Sequence, residues 1–307
     1  MIIFRVDVSP RTGLRSLRRC AYLAALLKKD NGVLLCVRED KKAAKFLCER
    51  DLPVRFAKDP STPDLGEARA LVFDLDDFSA ADKALLEKAR ETGIKTVQIL
   101  SAGNAGQAVD IQVTGAGSAL LHHKFRHFNK ARRKYRKRIR NVFVNLGDLL
   151  PYRDLRAIVE TLHRLGYKMK IAPGLNLKKA DKRNLMKIYP GSHFCGKSES
   201  PARAYFEADL ALVVPGDFAL EAATVGTPAL YMALNKEQEI LADADVDRGT
   251  GARTPSLADF SVQTVRDAIT PLDLETREKM GAAGKVLVDG LGVQRFFNLL
   301  KDNGILE

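Results

Sequence analysis

Tryptophan is absent from the 307 residues, and Phe and Tyr raise the aromatic share to only 7%. A sugar-binding platform built on stacked rings is therefore disfavoured. Cysteine is scarce and scattered: Cys20, Cys36, Cys48 and Cys195 include no CxxC pair. This spacing excludes the common metal and redox motifs and reads as reduced, structural thiols. No apolar run is long enough to cross a bilayer before charge interrupts it. The opening MIIFRVDVSP reads as a strand carrying Arg5 and Asp7. It lacks an apolar core followed by a small-residue cleavage site, so no secretory signal is read and a cytoplasmic protein is expected. With 22 Gly and 12 Pro the chain is neither collagen-like nor low-complexity. Acidic residues are missing altogether from 111 to 147.

Within that acid-free stretch lies most of the net charge of +12. The run KFRHFNKARRKYRKRIR at 124–140 holds ten Lys or Arg, and without it the chain would be close to neutral. The basicity is thus one local segment rather than a property of the whole surface. Read as a helix, the run places Phe125, Phe128, Ala131, Tyr135 and Ile139 on one face. Three uses stay open. The run is a solvated connector or a contact for an acidic protein partner, or a nucleic-acid contact, which is disfavoured because no recognisable module accompanies it. Alternatively Arg132, Arg133, Lys134, Arg136, Lys137 and Arg138 form a surface for anionic lipid, placing the protein peripherally at the inner membrane face. His122, His123 and His127 lie nearby, but the cationic surroundings and the lack of an accompanying acid argue against a metal. No metal or cofactor is implied anywhere; His163 and His193 read as structural.

The length suits two domains of about 150 residues each. Short apolar strands alternate with amphipathic helices in two rounds. In the first, strands are expected at 2–8, 33–37, 54–57, 70–74, 95–100 and 111–113, with helices at 14–29, 40–49 and 80–92. In the second, strands are expected at 141–146, 168–172, 192–195, 210–214 and 229–232. Helices there fall at 153–165, 178–186, 200–208, 218–225 and 237–244, and a helical end follows from 261. Such alternation implies an α/β protein of two Rossmann-like domains with parallel sheets. The expected boundaries are 1–140, ending in the basic connector, and 141–307, with the C-terminal helix packing back on the first domain. Ligands of such sheets sit beyond the carboxyl ends of the strands, so the interdomain cleft is the expected site.

Three stretches resemble, in order and spacing, the UDP-sugar hydrolase of the pseudaminic-acid pathway and related spore-coat polysaccharide proteins. FRVDVSPRTGLRSLRRCAYLA (4–24) is similar to the family pattern F-R-x-D followed by G-x-G-H-x-x-R. DLALVVPGDFALEAATVGTPALYMALNKEQ (209–238) is similar to its small-residue loop, helix-borne Glu, G-x-P and terminal N-Q. VDGLGVQRFFNLL (288–300) is similar to its D-G-x-G-x-x-R-V ending, and SALLHHKF (118–125) is a weaker echo. The resemblance implies a GT-B architecture, shared with the peptidoglycan N-acetylglucosaminyl transferase. It implies a UDP-sugar ligand and metal-independent hydrolysis or transfer at the anomeric carbon, in surface-polysaccharide or nonulosonic-acid biosynthesis. The residues it assigns to the nucleotide sugar are Gly13, Arg19, Gly147, Gly216, Asp217, Phe218, Glu221, Asn235 and Gln238.

The departures bear on chemistry. With Arg19 set on the motif Arg, Arg15 stands at the second Gly and Ser16 at the His that in the family would handle the attacking water's proton. A hydroxyl does not titrate near neutrality and cannot replace imidazole as a base. The family turn G-G-S-D reads Gly147, Asp148, Leu149, Leu150, a carboxylate and two bulky side chains where bare amides would cradle phosphate. Asp217 stands where Ser or Thr is expected. These changes speak against hydrolase chemistry and leave as the alternative a diverged, inactive paralogue acting as a binding or scaffold protein. Glu221, one turn into its helix, is the candidate for the nucleotide ribose hydroxyls. Asp7 and Arg19 either order the first strand-helix turn or pair with each other.

Overall fold

The computed structural model describes residues 1–9, 13–100, 106–148, 150–174, 177–196 and 200–307. The chain forms two compact units, Met1–Leu120 with Leu291–Glu307, and Leu121–Gly290. Each is built on one six-stranded sheet. In the first unit the strands are β1 (Ile2–Val6), β2 (Val33–Arg38), β3 (Val54–Ala57), β4 (Ala70–Asp74), β5 (Lys95–Ile99) and β6 (Ile111–Val113). They stand in the order β3-β2-β1-β4-β5-β6, all parallel. Helices α1 (Arg15–Leu27), α2 (Lys41–Leu47) and α3 (Ala80–Glu91) supply crossovers. β1, IIFRV, is buried at every position, as a central strand covered on both faces must be.

That burial includes Arg5, a charge at the centre of a sheet. Its guanidinium donates to Asp7 at 2.7 Å and to Asp82 at 2.8 Å. Asp82 also closes the capping box of α3 with Ser79 and accepts from Ser61 Oγ at 2.7 Å. A buried cation needs such partners, because desolvation alone would be prohibitive. Burial works against the Asp82 carboxylate, but the hydrogen bonds from Ser61 and Ser79 and the Arg5 charge outweigh it and hold its pKa low.

The second unit opens with α4 (His123–Lys130) and repeats the plan. Its strands are β7 (Asn141–Asn145), β8 (Lys168–Ile171), β9 (Ser192–Phe194), β10 (Leu210–Val213), β11 (Ala229–Tyr231) and β12 (Gly251–Arg253). Their order is β12-β11-β10-β7-β8-β9, again parallel. The helices are α5 (Tyr152–Arg164), α6 (Lys179–Ile188), α7 (Pro201–Glu207), α8 (Asp217–Thr224), α9 (Lys236–Asp247), α10 (Val262–Ile269) and α11 (Leu274–Leu287). The last helix, α12 (Gly292–Asp302), belongs to the first unit. Strand order reverses between β1 and β4, and again between β7 and β10. No helix among the described residues is long and apolar enough to cross a membrane.

Two expectations from the sequence need correction. β12 was not anticipated: GAR is too short and too small to register as a strand. Gly251 is nevertheless required there, since a Cβ would lie 2.5 Å from the Ala229 carbonyl oxygen. The basic run is not one helix. α4 ends at Lys130, Ala131 is extended, and 132–140 has no regular structure. Side-chain and main-chain demands of the fold explain the break. Asn129 donates to the Thr224 and Val288 carbonyls, Lys285 to those of Asn129 and Ala131, and Tyr135 to that of Gly226. Arg277, buried on α11, donates to the carbonyls of Arg136 and Lys137 at 2.8 and 3.2 Å. The Asn129, Ala131, Arg136 and Lys137 carbonyls thus find donors outside a helix, which satisfies the backbone where α4 stops.

Candidate functional site

In the second unit the reversal of strand order lies between β7 and β10, where open parallel sheets expose a crevice. β10 is a fully buried apolar strand, LALV, and the chain leaves it through Val214, Pro215 and Gly216. Gly216 has φ +99° and ψ −136°, a backbone conformation closed to side chains carrying a Cβ. It launches α8 as its N-cap, a residue with no side chain to cap the first turn. The leading amides of α8, at Asp217 and Phe218, thus form the positive end of a helix directly beyond a buried strand. Asp217 adds a carboxylate to that first turn.

Gly147 follows β7 and meets this turn. Its φ is +77°, and a Cβ there would come within 3.2 Å of the Phe218 ring. A side chain at 147 would therefore push on Phe218. Around Gly147 the lining is apolar: Val144, Leu146, Leu150, Leu155, Ile171 and Leu177 surround a small depression. Asp148 is buried, and Leu149 lies outside the described residues. The sheet switch point thus unites Gly147, Gly216, Asp217 and Phe218, beside an apolar floor.

Glu221 lies one turn along α8, half-buried, against the hydroxyl of Tyr205. Tyr205 is fully buried; it accepts from Asn145 Nδ2 at 3.0 Å and donates to the Phe218 carbonyl at 3.2 Å. Burial raises the Tyr205 pKa well above its ordinary value, and the neighbouring Glu221 charge raises it further. This Asn145–Tyr205–Glu221 chain was missed in the sequence. A signal existed: Asn145 is the polar end of an otherwise apolar strand at the predicted switch point. Tyr205 gave none, because a Tyr in PARAYFE reads as ordinary helix core.

Asn235 and Gln238 are engaged otherwise than the resemblance implied. Asn235 is the N-cap of α9 and its side chain accepts the Gln238 amide at 2.9 Å. The Gln238 side chain accepts the Leu234 amide at 2.8 Å. The N-K-E-Q run is a helix-start signature of the capping-box kind, and its side chains stabilise a chain reversal. The first unit holds the other candidates. Gly13, at φ +67°, bridges to Ser9 and closes the turn after β1. Arg19 does not pair with Asp7; it forms a two-pronged pair with Asp74 at 2.8 and 2.7 Å. Asp7 is engaged by Arg5 and by the Arg38 amide. Ser16 is buried in the first turn of α1.

The six cations assigned to an anion surface divide. The Arg133 guanidinium is turned inward, donating to the carbonyls of Tyr205, Phe206 and Ala208 and to Thr227 Oγ1. It caps the carboxyl end of α7, where a cation also meets the favourable end of the helix dipole. Burial lowers its pKa to about 10. Arg136 pairs with the buried Asp209 at 2.8 Å. Arg132, Lys134, Lys137 and Arg138 are exposed. Burial, followed by the charges of His123 and Lys124, lowers the His122 pKa to about 4, so its imidazole is neutral at pH 7.

No protein-family model matches the chain, and no curated protein matches it in sequence. Solved structures resemble it along nearly its full length. MurG of Acinetobacter baumannii shares 14% identity over 98% of this chain and 99% of its own, with a TM-score of 0.67. The calicheamicin glycosyltransferase CalG4 shares 12% over 98% of each chain, at 0.68. UDP-GlcNAc 2-epimerase of Neisseria meningitidis, solved bound to UDP-GlcNAc, shares 13% over 99% and 100%, at 0.57. At such identities the likeness is one of fold. The chain has the GT-B-like fold, with two Rossmann-like units.

Proposed function

We propose that the chain binds a UDP-sugar at the carboxyl end of the second unit's sheet and transfers the sugar at its anomeric carbon, in the assembly of a surface glycan. The observation that carries this reading is the turn at Gly216. A helix start whose N-cap is a glycine follows a buried strand at the switch point, with Glu221 one turn further in. Amides at a helix N-terminus suit a diphosphate. A carboxylate held at fixed depth suits the paired hydroxyls of a ribose. The glycosyltransferase structures of the same fold and the 209–238 resemblance support a nucleotide sugar as the ligand class.

Hydrolysis is the weaker chemistry here, because the first strand-helix turn offers Ser16, buried and without a titratable proton acceptor. The same observation favours a second reading, a protein that binds without turnover. Titration calorimetry with UDP tests the binding step shared by both. Glu221→Gln and Glu221→Ala are expected to weaken binding by about tenfold to a hundredfold, the loss of charge-assisted hydrogen bonds of about 1.5–3 kcal/mol. Absence of UDP binding to the wild type would end both readings. Release of free sugar from the pseudaminic-pathway substrate is expected to be at least about a hundredfold slower than ordinary turnover, the usual worth of general acid–base help.

A further inference from the structure

We propose that the basic strap 131–140, with the end of α4, is a docking surface for an anionic lipid bilayer. Among the described residues the fold uses two of its guanidinium groups: Arg133, buried on the α7 carbonyls, and Arg136, paired with Asp209. The remaining cations, including Lys130, Arg132, Lys134, Lys137, Arg138 and Arg140, are exposed, and among the described residues none of these six forms an ion pair. Asp209, the buried acid beneath them, is already shared by Arg136 and by the Arg140 and Asn141 amides. No acid occurs between 111 and 147 to neutralise the rest.

The strap is also a fixed display rather than a loose tail. Arg277 and Lys285 hold its carbonyls from below, and Tyr135 bonds to Gly226. Burial alternates along the strap's first residues: Arg133 and Tyr135 face in, Arg132 and Lys134 face out. Six exposed charges without ion-pair partners on a pinned segment suit an extended anionic surface.

Charge complementarity fits a lipid surface better than a nucleic acid. The nearby Phe and Tyr rings are turned inward: Phe125 is buried, Phe128 packs on Phe206 at 4.9 Å, and Tyr135 is hydrogen-bonded into the unit. That leaves no exposed Phe or Tyr on the strap on which bases would stack; the exposed rings nearby are the imidazoles of His122, His123 and His127. The strap has no regular structure, so it offers no helix to lay in a major groove. An anionic headgroup layer needs neither feature; it needs clustered cations within a Debye length.

Sedimentation of the full chain with phosphatidylglycerol or phosphatidylcholine vesicles is the test. The expected result is pelleting with the first and not the second at low salt, with steep loss as salt rises. The variant Arg132→Gln, Lys134→Gln, Lys137→Gln, Arg138→Gln is expected to bind at least about tenfold more weakly with unchanged melting. Exchanging Arg and Lys at the same four positions is expected to preserve binding. Glycerol phosphate is expected not to compete, since a single headgroup lacks the spread of charge. Four results would overturn the proposal: no pelleting at low salt, equal pelleting with phosphatidylcholine, a neutralised variant that binds like wild type, or tighter binding to a short RNA or DNA duplex than to the vesicles. Should the neutralised variant melt early, the wild-type salt titration and the lipid comparison decide alone. UDP affinity is expected to be the same in all variants, so this proposal and the nucleotide reading fail separately.

Discussion

On the nucleotide reading Glu221 meets two demands that pull in different directions, since a carboxylate held for a ligand must also be held when the ligand is away. Tyr205 answers the second from full burial, its single hydroxyl proton shared between the Phe218 carbonyl and the neighbouring Glu221 carboxylate while Asn145 donates to its oxygen. On the nucleotide reading Tyr205 touches no ligand and is a positioning residue. Tyr205→Phe keeps the ring and removes the hydroxyl, leaving Asn145 Nδ2 short of its acceptor at a cost of about 1–3 kcal/mol. The variant is expected to melt earlier and, separately, to bind UDP severalfold more weakly in calorimetry at a temperature where it is fully folded. A normal UDP affinity in a folded variant would make Tyr205 a core residue only. Asn145→Asp offers a further reading of the same chain: a second carboxylate near Glu221 is expected to weaken binding more as pH rises and it ionises.

At the scale of elements, ion pairs and caps replace what apolar patterning alone cannot supply. Arg133 closes the end of α7, and Arg133→Gln is expected to cost about 1.5–3 kcal/mol in urea melts, whereas exposed Arg132→Gln is expected to stay within about 0.5 kcal/mol. α3 depends in the same way on Asp82. Because the folded-state pKa of Asp82 lies below the ordinary 3.8, its contribution is complete above that value. It is lost as pH falls through the lowered folded pKa. The melting difference between wild type and Asp82→Asn is therefore expected to be constant near neutrality and to shrink only in strong acid; shrinkage already at pH 6 would contradict the assignment. Much of this scale was legible beforehand. Strands such as ALVFD and LALVV are buried apolar runs whose period and length admit little else. The end of α4 was not legible, because carbonyls of 129–137 are captured by Lys285 and Arg277, about 140–155 residues away in sequence. Nor was the buried role of Arg133, since nothing local distinguishes it from the five cations around it. Asn235 and Gln238 carry a capping signature that is legible in the N-K-E-Q spacing itself.

At the scale of the whole molecule, the chain leaves its first unit at about residue 120, completes the second, and returns at Leu291. The return is anchored by close packing. A Cβ on Gly292 would lie 2.1 Å from the Ala119 carbonyl oxygen, and Arg295 donates to the Gly117 carbonyl at 2.7 Å. Phe296, Leu300 and Ile305 are buried along the same segment. Burying each is worth about 1.5–3 kcal/mol, so the three together approach the 5–15 kcal/mol that typically holds a domain folded. Ending the chain after Gly290 is therefore expected to unfold or loosen the first unit although every one of its strands remains present. The second unit contains none of the deleted residues and is expected to keep its protection. Hydrogen exchange read by mass spectrometry separates the cases: amides of β1, β4 and β5 should exchange faster in the truncated chain while those of β7, β10 and β11 do not. Equal protection of both sheets would mean that the first unit folds without its returning helix, and loss in both would mean that the two units unfold as one. Gly292→Val in the full-length chain applies the same logic without removing any residue, since its side chain would meet the Ala119 carbonyl, and it is expected to shift the same set of amides.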